Sequence, residues 1–340
     1  NASDACDQTA TCTRTFTVEA APTLSVSCPA NVSLNECTSQ ADVNTAFTAF
    51  LSGFMTTGGC GTSGSFAESY TAPDACIGGM VTVVYNASDA CDQTATCTRT
   101  FTVAPAPTLS VKCPANVSVN ACTSQADINA TFTTFLNGFT TIGGCSASGS
   151  FASSYTAPDA CTGGTVSVTY NGSDDCNQSA TCTRTFTVTP APTLIVSCPS
   201  PVSLNACTSQ ADVNTAFTAF LNGFSTSGGC SASGSFAGSY SAPDACTGGT
   251  VSVTYNASDD CNQTATCTRT FTVTPAPTLS VSCPANVGLN ACTSQADVNA
   301  DFTAFLDGFT TIGGCSASGS FASNYTAPDA CTGGMVTVVY

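Results

Sequence analysis

Cysteine is the residue type in this chain with the widest chemistry, because a thiol can form a disulfide, bind a metal or act as a redox nucleophile. The 340 residues include 24 cysteines and no histidine. Zinc and redox centres usually carry a Cys-x-x-Cys pair, or cysteine together with histidine. No two cysteines here have that spacing. We therefore predict structural disulfides and a location outside the reducing cytosol.

The cysteines recur with a fixed period, which limits how they pair. The sequence Asn1-Ala-Ser-Asp-Ala-Cys6 returns at 86–91, and close variants follow at 171–176 and 256–261. The period is 85 residues, four periods account for the whole chain, and each holds six cysteines. An even number can close within one unit. We therefore predict three disulfides inside each repeat.

Three pairings are predicted within a repeat. Cys28–Cys97 would join the first strand to the last, and Cys37–Cys60 would bracket the predicted helix. Cys76–Cys91 remains by elimination. The same pairs recur one and two periods later, as Cys113–Cys182, Cys122–Cys145, Cys161–Cys176, Cys198–Cys267, Cys207–Cys230 and Cys246–Cys261.

Aspartates form the second candidate cluster. Asp89 and Asp92 share one turn, and Asp174 and Asp259 occupy the position of Asp89 in the next two periods. Acidic turns can hold Ca²⁺, which takes about six to eight oxygen ligands, whereas each turn here offers one or two carboxylates. We favour an Asx turn, in which the side chain accepts hydrogen bonds from its own backbone. The prediction is therefore no cofactor, with Ca²⁺ at these four aspartates as the alternative.

The charge balance excludes several classes of function. There are 21 acidic and 5 basic residues, a net charge of −16 at pH 7. Such a chain does not complement a nucleic-acid backbone or an anionic lipid surface. The absence of histidine removes the usual general base, and we predict that the chain is not an enzyme. No apolar run approaches the length of about 18 residues that a membrane span needs, so we predict no membrane insertion.

Alternating side chains predict strands in every repeat. Thr165–Tyr170 and Cys97–Val103 each present one polar and one apolar face, and Leu24–Cys28 does the same in a shorter segment. Asp89–Gln93 supplies a turn between two of these strands. Arg99 shares a face with the apolar residues of its strand. We expect it at the rim of the core in a salt bridge with a nearby aspartate.

One segment has helical spacing instead. Val43, Phe47, Phe50, Leu51 and Phe54 lie on one helical face of residues 39–54. Thr38 or Ser39 can cap the start, where Asp42 complements the helix dipole, and Gly53 is expected to close the helix in a left-handed turn.

These elements predict a mainly β fold of tandem Ig-like β-sandwich domains, each with one short helix and about three disulfides. The Pro-rich sequence Val103-Ala-Pro-Ala-Pro-Thr108 and its counterparts separate the domains and favour extended, semi-rigid spacers, which would arrange the repeats as a rod. The predicted domains are the C-terminal strands of a preceding repeat at 1–18, complete repeats at 19–103, 104–188 and 189–273, and a repeat at 274–340 that lacks its last strand. We expect the chain to be a window on a longer repetitive protein.

The repeat resembles a known family. Residues 81–103, which read VTVVYNASDACDQTATCTRTFTV, resemble the end of HYR-type, Ig-like repeats. Cys113-Pro114, the run from Cys122 to Asn129, Phe-Leu-Asn-Gly-Phe139 and Gly-Gly-Cys145 resemble the Cys-rich repeats of giant Bacteroidetes surface proteins, including gliding-motility-associated adhesins exported by the type IX system. The family's Asp-x-x-Gly-Asn turn reads Asp89-Ala-Cys-Asp-Gln93 here. The resemblance implies a cell-surface filament or adhesin without catalytic chemistry.

Two functions remain in contention. The first is an extracellular, cell-surface stalk or filament, in which the partners are further copies of the same repeat in the same chain or in neighbouring subunits. The second is a set of repeated modules that bind surface polysaccharide or another surface by avidity. Sugar sites usually expose aromatic rings, but the chain has no tryptophan and Tyr85 shares strand parity with core valines. The pattern favours the stalk.

Overall fold

The computed structural model describes residues 1–340. It divides into two compact units. The first comprises residues 1–119, 125–158 and 165–187, and the second comprises 120–124, 159–164 and 188–340. We keep the term repeat for the four sequence periods 19–103, 104–188, 189–273 and 274–340.

Each repeat contributes one helix and a set of strands. The helices are α1 Gln40–Ser52, α2 Gln125–Leu136, α3 Gln210–Asn222 and α4 Gln295–Asp307.

Residues before the first repeat form β1 Ala2–Ser3 and β2 Thr9–Ala10. The first repeat has β3 Ser25–Ser27, β4 Val32–Leu34, β5 Met55–Thr57, β6 Ser63–Phe66, β7 Gly79–Ser88 and β8 Thr94–Val103. The second has β9 Ser110–Lys112, β10 Val117–Val119, β11 Thr140–Ile142, β12 Ser148–Phe151, β13 Gly164–Ser173 and β14 Ser179–Val188. The third has β15 Ile195–Ser197, β16 Val202–Leu204, β17 Ser225–Ser227, β18 Ser233–Phe236, β19 Gly249–Ser258 and β20 Thr264–Val273, and the fourth has β21 Ser280–Ser282 and β22 Thr310–Ile312.

A complete repeat is sandwich-like, with a four-stranded and a two-stranded sheet. In the first repeat the four-stranded order is β4-β8-β7-β6 and the two-stranded sheet is β3-β5. The long strands β7 and β8 form an antiparallel hairpin, with β4 parallel to the end of β8. The second and third repeats have the same strand order. The prediction of a mainly β fold of tandem repeats with one helix each is confirmed.

The helix forms where the periodicity predicts it. Ser39 caps α1 by accepting a hydrogen bond from the Asp42 N–H. The expected left-handed closing turn is wrong, because Gly53 has a φ of −80°. A different constraint explains this glycine: a Cβ there would lie 2.9 Å from the Cβ of Pro29. Glycine is required because the helix end packs directly against the proline.

The core lies between α1 and one face of the four-stranded sheet. Phe47 and Phe50 contact Phe101 of β8, with ring centroids 5.0 and 5.5 Å apart. Phe101 and Val83 are fully buried. The alternation predicted for β8 is therefore confirmed, since Phe101 and Val103 share the buried face with Cys97. Equivalent residues form the core of the third repeat.

Candidate functional site

The long hairpin gives each repeat two well-separated ends. Gly79 pairs with Val103 at one end of the hairpin, and Ser88 pairs with Thr94 at the other. The ten residues make nine steps of about 3.3 Å, which places these ends about 30 Å apart. We call the end with Gly79 and Val103 the exit end, because the chain leaves the repeat there. The end with Ser88 and Thr94 is the entry end.

Two cysteines of the first repeat lie at the exit end. Cys37 follows β4, whose Leu34 pairs with Val103. Cys76 precedes β7, and its carbonyl accepts a hydrogen bond of 2.9 Å from the N–H of Ala106. Both cysteines are therefore placed beside the chain that leads into the next repeat.

Two other cysteines lie at the entry end. Cys91 sits in the turn between β7 and β8. Cys60 is next to this turn, because its carbonyl accepts a 2.9 Å hydrogen bond from the N–H of Ala90. Partial desolvation, the Asp89 carboxylate and the neighbouring Cys60 thiol raise the pKa of the Cys91 thiol.

Two of the predicted pairings are wrong for this reason. Cys37–Cys60 and Cys76–Cys91 would each join opposite ends of a repeat, whereas a disulfide needs Cα atoms within about 7 Å. Cys37 instead bonds Cys145, and Cys76 bonds Cys176. Their Cα–Cα distances are 5.2 and 5.5 Å. The exit end of one repeat is thus bonded to the entry end of the next. Cys76 and Cys91 are separated by the whole of β7, and the length of this segment was the sequence signal that could have indicated the correct pairing.

The same connectivity recurs along the chain. In the second unit, Cys122–Cys230 and Cys207–Cys315 repeat the separation of 108 residues, and Cys161–Cys261 repeats the separation of 100. The predicted pairing of first strand with last is present as Cys28–Cys97, Cys113–Cys182 and Cys198–Cys267. The pairings Cys122–Cys145, Cys161–Cys176, Cys207–Cys230 and Cys246–Cys261 are wrong in the same way as those of the first repeat. The unpaired cysteines are Cys6, Cys12, Cys60, Cys91, Cys246, Cys283, Cys292 and Cys331.

A single carboxylate positions both cysteines of an entry end. In the second repeat, Asp174 Oδ2 accepts from the N–H of Cys145 at 3.1 Å, and Oδ1 accepts from the N–H of Cys176 at 3.0 Å. The backbone and side-chain amides of Gln178 donate to the two oxygens at 2.8 and 3.0 Å. Desolvation raises the pKa of Asp174, but the bonds from Cys145, Gln178 and Cys176 outweigh it and hold that pKa below its ordinary value. Asp89 and Asp259 make the corresponding bonds.

These bonds are the arrangement of an Asx turn. The oxygens of Asp89, Asp174 and Asp259 face N–H donors, which complement an anion. Asp92 has a φ of 59°, and asparagine occupies its position as Asn177 in the next repeat. Asp92 therefore provides the left-handed backbone conformation that the turn requires. The structure gathers no group of three or more histidine, cysteine or acidic residues that could hold a metal.

The Pro-rich linker is hydrogen-bonded to the repeats on both sides. On the side of the first repeat, the N–H of Ala104 donates to the carbonyl of Leu34 at 3.0 Å. On the side of the second, the carbonyl of Pro107 accepts from the N–H of Gly144 at 3.2 Å and from the Gln178 side chain at 2.9 Å. We call residues 104–108 together with Cys37–Cys145 and Cys76–Cys176 the inter-repeat joint.

Two other candidate residues have structural roles. The predicted salt bridge of Arg99 is wrong: its guanidinium donates to the carbonyls of Pro29 at 2.9 Å and Thr98 at 2.8 Å. These hydrogen bonds satisfy two backbone carbonyl groups in β8 and next to it, and the Arg99 side chain needs no acidic partner. The ring of Tyr85 packs 5.8 Å from Phe54 and 5.1 Å from Phe66, so it belongs to the core.

Comparison with known proteins gives structural neighbours only. No family model and no curated protein matches the sequence. Among solved structures, extracellular cadherin domains 1–4 of protocadherin gamma B7 match with 10% identity over 74% of this chain and 76% of that chain, at a TM-score of 0.31. Drosophila N-cadherin domains match with 6% identity over 74% and 76%, at a TM-score of 0.25. An I-band fragment of titin matches with 11% identity over 76% and 100%, at a TM-score of 0.21.

The helices are all short. None of them is long and apolar enough to cross a membrane.

Proposed function

We propose that this chain is a structural, extracellular repeat protein that serves as a stiff stalk or filament at the cell surface. The observation that carries the proposal is the pair of disulfides in the inter-repeat joint, Cys37–Cys145 and Cys76–Cys176. A disulfide inside one repeat, such as Cys28–Cys97, stabilises that repeat alone. Bonds between successive domains instead constrain how those domains move relative to each other.

Two bonds restrict a joint more than one does. A single disulfide leaves rotation about every axis through the bond, whereas two bonds at different points of the interface leave only rotation about the line that joins them. The hydrogen bonds of Ala104 and Pro107 hold the linker between the same two repeats. The joint of the first two repeats therefore resists both bending and twisting.

The cysteine chemistry supports the proposed location. Disulfides of this kind persist in secreted and surface proteins, because cytosolic thiol systems reduce them. The resemblance to Cys-rich surface repeats points the same way. An acidic surface with few cations suits repeats that remain dispersed in an aqueous exterior.

The stiffness can be measured across one joint. Ser52 and Asn137 are exposed residues at the ends of equivalent helices, so spin-labelled unnatural amino acids there report the distance between the first two repeats. We expect a narrow distance distribution in the native chain. Replacing Cys37, Cys145, Cys76 and Cys176 together by serine should broaden it, because the linker alone then restrains the joint.

The control variant replaces Cys60 and Cys91 by serine, since neither forms a disulfide. It should keep the narrow distribution. An equally narrow distribution without the four joint cysteines would contradict the proposal, and so would antibody labelling found only inside permeabilised cells.

A further inference from the structure

The two disulfides of the inter-repeat joint enter the second repeat through neighbouring cysteines. Asp174 accepts hydrogen bonds from the N–H groups of both Cys145 and Cys176. The carbonyl of Cys145 also accepts a hydrogen bond of 3.0 Å from the N–H of Asp175, the residue before Cys176. The backbones of the two cysteines are therefore held side by side, although the whole of β13 lies between them in the sequence.

The side chains at an entry end can also reach each other. In the first repeat, the equivalent side chains of Cys60 and Cys91 are in hydrogen-bond contact, and Asp89 accepts the N–H groups of both residues. Sulfur atoms in contact can be joined without a large movement of the backbone. The entry end therefore has the geometry for a disulfide between its own two cysteines, as well as for the two bonds to the preceding repeat.

The two cysteines of the Cys37–Cys145 bond differ in their access to solvent. Cys37 is exposed, whereas Cys145 is 5% exposed. Thiol–disulfide exchange begins when an external thiolate attacks an accessible sulfur, and the other sulfur leaves as a thiolate. Attack at Cys37 therefore releases the sulfur of Cys145, which lies beside the Cys76–Cys176 bond.

We propose that the inter-repeat joint is a thiol-exchange site, at which a small-molecule thiol causes Cys145 and Cys176 to bond to each other instead of to the preceding repeat. The product has a Cys145–Cys176 disulfide inside the second repeat and thiols at Cys37 and Cys76. Only the backbone of the linker then connects the two repeats covalently. The inference rests on the proposed function, since it concerns the bonds that make the joint stiff.

The exchange takes three steps. A small-molecule thiolate bonds to Cys37 Sγ, and the S–S bond to Cys145 breaks. The Cys145 thiolate attacks Cys176 Sγ, which forms the new disulfide and breaks the bond to Cys76. A second small-molecule thiol attacks the small-molecule sulfur on Cys37, which releases the Cys37 thiolate. Two small thiols are thus oxidised to one disulfide, one protein disulfide is reduced to two thiols, and the two protons end on Cys37 and Cys76.

The second step is fast because its reactants belong to one turn. A group tethered beside its target acts at an effective concentration of about 1 mM or more, so Cys145 competes well with external thiols for the sulfur of Cys176. The Cys28–Cys97 bond has no such neighbour and lies against the core, where Cys97 is 8% exposed. The exchange is therefore confined to the joint.

The joint between the second and third repeats has the same features. Cys122 is exposed, whereas its partner Cys230 is 4% exposed. Asp259 accepts the N–H groups of Cys230 and Cys261 at 3.0 Å each. The equivalent product of exchange is a Cys230–Cys261 disulfide.

The test follows the disulfides of the 340-residue chain in buffers with different ratios of reduced to oxidised glutathione. Samples are alkylated and mapped by mass spectrometry without further reduction. As the share of reduced glutathione rises, Cys145–Cys176 peptides should replace Cys37–Cys145 peptides, while Cys28–Cys97 peptides persist. Loss of Cys37–Cys145 without Cys145–Cys176 at any ratio overturns the inference.

A matched pair of variants isolates the second step. Cys76→Ser and Cys176→Ser both remove the Cys76–Cys176 bond, but only Cys76→Ser keeps a sulfur at residue 176. In Cys76→Ser the Cys176 thiolate attacks Cys145 Sγ and Cys37 leaves, with no small thiol required. We expect the Cys37–Cys145 bond to disappear at least about 10-fold faster in Cys76→Ser than in Cys176→Ser. Equal rates in the two variants overturn the inference.

The spin-label distance across the joint separates this inference from the proposed function. In oxidised glutathione the distribution should be narrow, and it should broaden at the ratios that give the Cys145–Cys176 bond. A narrow distribution in a chain that never forms this bond would overturn the inference alone. A broad distribution while Cys37–Cys145 and Cys76–Cys176 are intact would overturn the proposed function alone.

Discussion

At the scale of single residues, one carboxylate positions two cysteines. Asp174 binds the N–H groups of Cys145 and Cys176, which lie far apart in sequence. Both cysteines bond to the preceding repeat, through Cys37 and Cys76. The turn is therefore part of the inter-repeat joint, because it fixes the spacing of the two attachment points.

Asp174→Asn should weaken this arrangement. In asparagine an NH₂ group replaces one carboxylate oxygen. Its N–H groups would face the N–H groups that now donate hydrogen bonds to that oxygen. We expect the melting temperature to fall by about 2 to 5 °C and the Cys37–Cys145 bond to form more slowly during oxidative refolding. Asp175→Asn, at the exposed neighbouring residue, is the control and should leave both quantities unchanged.

The same carboxylate predicts a pH dependence. The pKa of Asp174 lies below its ordinary value of 3.8, so its contribution to stability is complete above that pH. The contribution is lost as the pH falls through 3.8 and then through the lowered pKa. The melting-temperature difference between the native chain and Asp174→Asn should therefore be constant near neutrality and shrink towards zero in acid. A difference that grows in acid would contradict this assignment.

At the scale of elements, the spacing of apolar residues predicted the features that lie within a single segment of the chain. Val43, Phe47 and Phe50 identified the helix, and the alternation of Cys97–Val103 identified the face of its strand, because burial imposes these spacings directly. The disulfides depended on which ends of the elements meet. Choosing Cys76–Cys91 by elimination ignored the length of the strand between them, and pairing between repeats leaves no periodic signal within one repeat.

The packing of the helix end predicts the effect of a small substitution. Gly223 ends α3 with a φ of −79°, which alanine tolerates, but a Cβ would lie 2.8 Å from the Cβ of Pro199. We expect Gly223→Ala to destabilise the third repeat by about 1–3 kcal/mol in chemical unfolding. Gly238 has open space around it, and Gly238→Ala should stay within about 0.5 kcal/mol of the native chain. Equal stability of the two variants would show that Pro199 shifts to make room for the added Cβ.

At the scale of the whole molecule, the net charge of −16 predicts a response to salt. Screening reduces repulsion among the 21 acidic residues, so NaCl should raise the melting temperature. CaCl₂ at the same ionic strength should give the same rise, because the oxygens of Asp89, Asp174 and Asp259 already accept N–H groups. A larger rise specific to Ca²⁺ would instead assign these turns, with Asp92, to calcium binding.

The inter-repeat joint also changes what it takes to divide the chain. Three covalent connections cross from the first repeat to the second: the backbone, Cys37–Cys145 and Cys76–Cys176. Hydrolysis of one peptide bond in residues 104–108 leaves both sulfur bridges in place, and reduction of both bridges leaves the backbone. Separation requires damage of two different chemical kinds. The joint is therefore redundant in the engineering sense, so that tension borne by a nicked molecule passes through the remaining bonds.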